Sequence, residues 1–260
     1  MKNVLAALLL ALALHVQPFG PDTAPAQAQD AKEAFLAGRS KDCPGCDLAG
    51  AVLKRRNLTG ANLAGANLAG ASFHRSVLRG ANFSGADLTN ANLNKTDLIQ
   101  ANFSNAKLKE AMLFEAEAAR ANFSRADLTE ALMGNIRLLG GNLDRANLTE
   151  ADLGGAQLND TTFTNATLNG ASLLQARLLR ANMRGAVADS VDFTQASMRD
   201  ANLSGALLRE SIFYLVDLGG VDMSGANLSR SILRSAILND TKQAGTIFTG
   251  AMMPDNSIHP

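Results

Sequence analysis

The sequence predicts an all-β solenoid, and three observations predict it. Starting at Leu48, a series stepping by five runs as far as Met253 with no insertion or deletion; it has 42 members, of which 26 are Leu, 8 Phe and 5 Met, the others being Ala118, Ala188 and Gln243. Two residues before each lies a second series, Cys46 to Ala251, in which 28 members are Ala. A period of five fits neither the 3.6 of an α-helix nor the 2 of a flat strand. A fixed short period kept up over so many units means stacked repeats.

The elements follow in chain order. Lys2 followed by the apolar run Val4–Leu14 reads as a targeting segment, too short to span a bilayer comfortably. Ala26-Gln27-Ala28 supplies a small-x-small cleavage pattern. Residues 1–28 are therefore expected to be a signal peptide, with a mature start at Gln29. The expected destination is the periplasm or a thylakoid lumen, or release by secretion. Removing 1–28 leaves 23 basic and 23 acidic residues. A neutral chain carries no whole-molecule field to steer it to nucleic acid. No stable membrane anchor is expected after cleavage.

Residues 29–45 are expected to cap the array. Asp30–Gly38 contains helix formers with Phe35 and Leu36 apolar, and a short cap helix would cover the first β edge. Residues 46–253 are the repeat array. In each unit the small and large residues alternate, so they share the inward face of a short extended segment. The other three positions are mostly Asn, Asp, Ser, Thr, Gly, Arg and Glu, and they form an outward corner. Residues 254–260 are a tail. Gln243 takes a core position near the end, where the coil is expected to loosen.

Units such as "ANLAG", "ANFSG" and "ADLGG" resemble the A-[DN]-L-x-x unit of the pentapeptide repeat family. The resemblance implies a right-handed quadrilateral β-helix with four units per coil of 20 residues. The sequence checks that 20 independently. Asn62, Asn82, Asn102, Asn122, Asn142, Asn182 and Asn202 all fall on one implied side. Phe83, Phe103, Phe123 and Phe163 share it, while Phe73, Phe193 and Phe213 fall opposite. About ten coils at the ~4.8 Å inter-strand spacing would make a rod on the order of 50 Å long.

Cys43 and Cys46 are the only cysteines. An exported compartment allows a disulfide between them. A thioredoxin-type redox pair would need a βαβ context that is missing here. Haem attachment would need His where Asp47 stands, and zinc would need two more ligands. The plain reading is a cap in which Cys46 points inward and Cys43 closes onto it or stays free. Family members with a similar short helix and CxxC ahead of the first coil support that reading by resemblance.

If the four sides are real, outward residues can be assigned to them. The side of Leu68, Leu88 and Leu108 holds eight acids and four bases. Some family members are implied by resemblance to mimic DNA and block type II topoisomerases, which would need a strongly acidic rod. The side of Leu53, Phe73 and Leu93 carries outward Val52, Met112, Phe114, Leu132, Leu174, Ile212, Tyr214, Leu215, Ile232 and Met252. The nine residues from Met112 onward are expected to bind a protein partner or a second copy.

Chemistry is sparse. His74 and His259 are the only histidines past the leader, and no phosphate-binding loop is present. Asp47, Asp87 and Asp127 recur every 40 residues, two coils apart, too far for paired-carboxylate work. No cofactor and no catalysis are expected. The leading reading is a non-catalytic exported scaffold or interaction module, and the alternative is a topoisomerase-binding DNA mimic.

Overall fold

The computed structural model describes residues 23–260, and the expected signal segment lies largely outside them. One α-helix, α1 (Thr23–Leu36), precedes the array. It starts earlier than the expected cap helix and runs through the proposed cleavage point after Ala28. Gly38, at φ 74°, ends it. The Arg39 N–H reaches back to the Ala34 carbonyl at 2.8 Å, which satisfies a C-terminal orphan.

Each unit then contributes one parallel bridge, always to the residue twenty positions on. The series is unbroken from Asp47↔Asn67 to Ile232↔Met252. Four units therefore make one coil, as the Asn and Phe columns imply. The large and small residues fill the interior of the array, and most are fully buried. Burying each Leu or Phe contributes roughly 1.5–3 kcal/mol before the entropy of ordering is subtracted. Phe83, Phe103 and Phe123 stack in one column, with centroids 4.8 and 4.7 Å apart. Phe193 and Phe213 stack on the opposite side at 5.0 Å.

The backbone donors of a unit can be fully accounted for. In the unit of Leu63, the Leu63 and Gly65 N–H groups donate to the next coil, at 2.7 and 2.9 Å. Asn62 N–H donates to the Asp42 side chain at 2.8 Å, where in later coils the same position donates to the coil before (Asn82 N–H to the Ala61 carbonyl, 2.8 Å), and Ala66 N–H closes the corner onto Leu63 at 3.1 Å. Gly65 has φ 64°, so the corner is a type II turn. The fifth donor, on the residue after Leu63, goes to the Asn62 side chain at 3.3 Å. Ser84 and Thr89 find Asn82 and Asp87 in the same way, at 3.1 and 3.0 Å. Hence Asn or Asp recurs before the large residue. The same amides also bond along the column, for example Asn122 Nδ2 to Asn102 Oδ1 at 3.1 Å.

Corners lacking glycine adopt the same left-handed backbone. Arg120 and Glu130 have φ 58°, and even Leu215 has φ 56°. That conformation costs an L-residue roughly 1–2 kcal/mol. The ladder holds it in place, since the Arg120 N–H donates to the Leu139 carbonyl at 2.9 Å.

Both ends differ from the simplest expectation. The regular coil starts one unit before Cys46. Cys43 occupies the large inward place of that extra unit, with Pro44 and Gly45 (φ 66°) at its corner. Arg56, the odd member of the small series, belongs to the cap. Its Nη2 donates to the Phe35 carbonyl at 2.9 Å, and its guanidinium lies 5.2 Å from the ring centroid of buried Phe35. The cation also opposes the negative end of the helix dipole. At the other end Gln243 is exposed and Leu238 is only partly buried. The tail folds back, and Ile258 pairs antiparallel with Met252.

Candidate interaction surface

Cys43 and Cys46 are both buried and are joined as a disulfide, with Cα atoms 5.4 Å apart. They sit in the first corner of the coil, directly before the regular array.

The apolar residues expected to form an interface do share one side. Phe114, Leu132, Leu174, Tyr214, Leu215 and Ile232 are exposed, whereas Met112, Ile212 and Met252 are half-buried. They form two patches, not one strip. Met112 bridges to Leu132 in the first. The Phe114 ring lies against Gly134, where an added Cβ would stand 3.2 Å from the ring. In the second patch Ile212, Ile232 and Met252 are consecutive rungs. Arg234 covers Tyr214, with its guanidinium 5.8 Å from the ring centroid. Between the patches the rungs are Asp152, Ser172 and Asp192, and Leu174 stands alone. Ile258 extends the second patch through the tail. The period points the other way, since Ile258 falls five residues after Met253 in the large inward series, but the tail turns back there instead of continuing the coil.

On the acidic side every base is paired with an acid. Lys107 lies 3.9 Å from Asp87, and Lys109 lies 3.4 and 3.3 Å from Glu110 and Glu130. Arg209 pairs with Asp189, and Arg230 with Glu210. Such exposed pairs contribute little individually, about 0–1 kcal/mol each. The sequence places these charges on one side, but which acid each base meets depends on side-chain reach: Lys109 takes acids 1 and 21 residues away, the other bases an acid 20 away. Asp47, Asp87 and Asp127 lie on alternate rungs, with Asn67 and Lys107 between them. Among the described residues no group of three His, Cys, Asp or Glu side chains could hold a metal ion.

Hydrogen bonds from the Arg209 guanidinium hold the Asp189 carboxyl below its ordinary pKa, against partial burial. A hydrogen bond from Thr89 does the same for Asp87. A depressed folded pKa stabilises fully above the unfolded carboxylate value of about 3.9. That stabilisation is lost as pH falls through the lower folded value. Asp189→Asn should therefore melt at a lower temperature than wild type near neutral pH. The gap should close as pH drops below about 3.9, measured by thermal melts across a pH series. A gap that stays constant with pH would exclude the ionic contribution.

A rod of five-residue units, four to a coil, with surface patches and no clustered chemistry, defines a pentapeptide-type β-solenoid. The model of the family "Pentapeptide repeats" matches overlapping stretches from 46–85 to 211–250. The chain belongs to the pentapeptide repeat family, and its coil is the right-handed quadrilateral β-helix of that family. HetL, a pentapeptide repeat protein involved in heterocyst differentiation regulation from Nostoc sp. strain PCC 7120, is 29% identical. That match covers 88% of this chain and 98% of HetL at a TM-score of 0.35. A pentapeptide repeat protein from the Arabidopsis thaliana thylakoid lumen is 29% identical over 45% of this chain and 71% of that one, at a TM-score of 0.22. QnrB1, a plasmid-mediated fluoroquinolone resistance protein, is 17% identical over 76% of this chain and 89% of that one, at a TM-score of 0.38. Comparison with curated proteins gave no match.

Proposed function

We propose that this protein is a non-catalytic exported scaffold whose apolar side binds a protein partner or a second copy. One observation carries the reading: Phe114, Leu132, Tyr214, Leu215 and Ile232 are exposed on a single side. Exposed large apolar groups gathered on one face mark an interaction surface. The apolar run Val4–Leu14 supports export, and the buried Cys43–Cys46 pair suits an oxidising compartment. The DNA-mimic alternative is the weaker one. A mimic needs a strongly acidic rod, and here one side nets only −4, from eight acids and four bases, on a chain whose bases and acids are equal in number.

Replacing Phe114 and Tyr214 together by Glu should abolish association through this side. Sedimentation velocity of wild type and Phe114→Glu/Tyr214→Glu over a range of concentrations measures it. Wild type is expected to sediment as a dimer, or to bind a partner that the variant loses. If both forms stay monomeric, equally soluble and equal in partner capture, the apolar side is not an interface.

A further inference from the structure

The charge of the rod is unevenly distributed along its axis. Residues 48–86, almost two coils, contain five bases and no acid. From Asp87 onward the chain has 15 bases and 19 acids. Two of the five bases are occupied: Arg56 clasps Phe35, and Arg79 pairs with Asp97. Lys54, Arg55 and Arg75 are exposed, and none makes an ion pair among the described residues. They share one corner. Lys54 and Arg55 turn the corner after Leu53, and Arg75 turns it one coil later, about 4.8 Å along the axis. Val52 lies on the side leading into this corner and is 74% exposed.

We propose that this corner, at the N-terminal end of the rod, is a peripheral docking site for an anionic lipid surface. Charge complementarity is the first argument. Three unpaired bases gathered without an acid in nearly two coils attract polyanions, whereas the rod from Asp87 onward, with 15 bases and 19 acids, does not. The second is the apolar residue among them. Long basic side chains that place their charges at the headgroups, around one side chain that can enter the boundary, suit a bilayer better than a dry protein interface. The third is position. The corner lies at the N-terminal end of the rod, which follows α1 and, in sequence only, the apolar run Val4–Leu14. The proposal rests on the reading of that run as membrane-directed, but not on the apolar side as an interface. Among the described residues no helix is long and apolar enough to cross a membrane, so attachment here would be peripheral.

The test is co-sedimentation of the full chain with vesicles. One set is pure phosphatidylcholine, and the other contains about 30% phosphatidylglycerol to supply surface charge. The leader carries Lys2 and the N-terminal amine and favours the anionic set itself, so the basic corner is read from the difference between wild type and the triple variants. Wild type should partition at least tenfold better onto the anionic set. About 0.5 M salt should erase that preference, because it shortens the screening length below the reach of the corner. Lys54→Gln/Arg55→Gln/Arg75→Gln removes the three charges and should lower that preference about fivefold per base. Lys54→Glu/Arg55→Glu/Arg75→Glu adds repulsion and should lower it further. Arg120→Glu/Arg125→Glu/Arg184→Glu makes the same charge change at the same turn positions and should keep it. Arg55, Arg75, Arg120 and Arg125 all have left-handed backbones, as do Glu110 and Glu130, so glutamate is tolerated at these corners. The proposal is overturned by equal wild-type binding to both vesicle sets or by equal loss in the control triple variant. Tighter binding to duplex DNA or polyglutamate than to the anionic vesicles would also overturn it.

Discussion

Replacing Phe103 by Ala should lower the stability of the rod by about 3–5 kcal/mol, the cost of emptying a large site in a close-packed core. Phe103 is fully buried and stacks face to face with Phe83 below and Phe123 above. Its removal takes a partner from each of two rings. The backbone cannot collapse into the hole, because Phe103 N–H and Asn122 N–H are held in the ladder at 2.6 and 2.9 Å. Phe103→Leu refills most of the volume and should cost much less. Urea unfolding followed by circular dichroism measures both, and Ser104→Ala at the neighbouring corner serves as a near-neutral reference. A loss below about 1 kcal/mol for Phe103→Ala would mean that the column is not packed as described.

Deletions should separate the unit from the coil. Removing Ala101–Arg120 takes out one full coil and brings Ala121, Asn122 and Phe123 into the places of Ala101, Asn102 and Phe103. Every later residue keeps its side, Phe123 stacks on Phe83, and the shortened rod should lose only about a tenth of the array's stabilisation. Removing Ala101–Asn105 keeps the inward alternation but turns everything downstream by one side. The Phe and Asn columns then fall out of line at the junction, and stability should drop further. Removing Ala101–Ser104 is the most damaging of the three, since Lys107 would enter the place of Phe103 unless the chain bulges. Thermal melting and limited proteolysis should rank the three deletions in that order. If losing twenty residues harms the protein as much as losing four, the coil is not the stacking unit.

Much of the fold was legible because its rule is local. The spacing of Leu48 to Met253 gives the inward series, and the Asn62 to Asn202 column gives the coil of twenty. What stayed hidden depends on contacts between segments with no shared period. Arg56 stood out as a misfit in the small series, but nothing in its neighbours points to the carbonyl of Phe35. Cys43 is in frame with the large series, yet its residue type masked it as the first member. The apolar side was legible as a set of positions. Its division into two patches came from reading the rungs Asp152, Ser172 and Asp192 in order along the axis. The pairing of Lys109 with Glu130 likewise needs the coil to be closed before the charges meet.

The side-chain acceptor for the fifth backbone donor restricts how such a molecule can change over time. An Asn or Asp before the large residue is tied to its own corner, and the inward residues are tied to the interior. Selection keeps as its free alphabet the two corner positions of each unit and, where no Asn or Asp stands, the position before the large residue, which reads Met112, Leu132, Ile212 and Ile232 on the apolar side. The ladder imposes their backbone whatever residue stands there, so arginine, glutamate or leucine can be written at a corner without rewriting the frame. A basic end, a paired acidic side and an apolar side can thus be revised separately on one chain, and a new surface can evolve here without first finding a new fold.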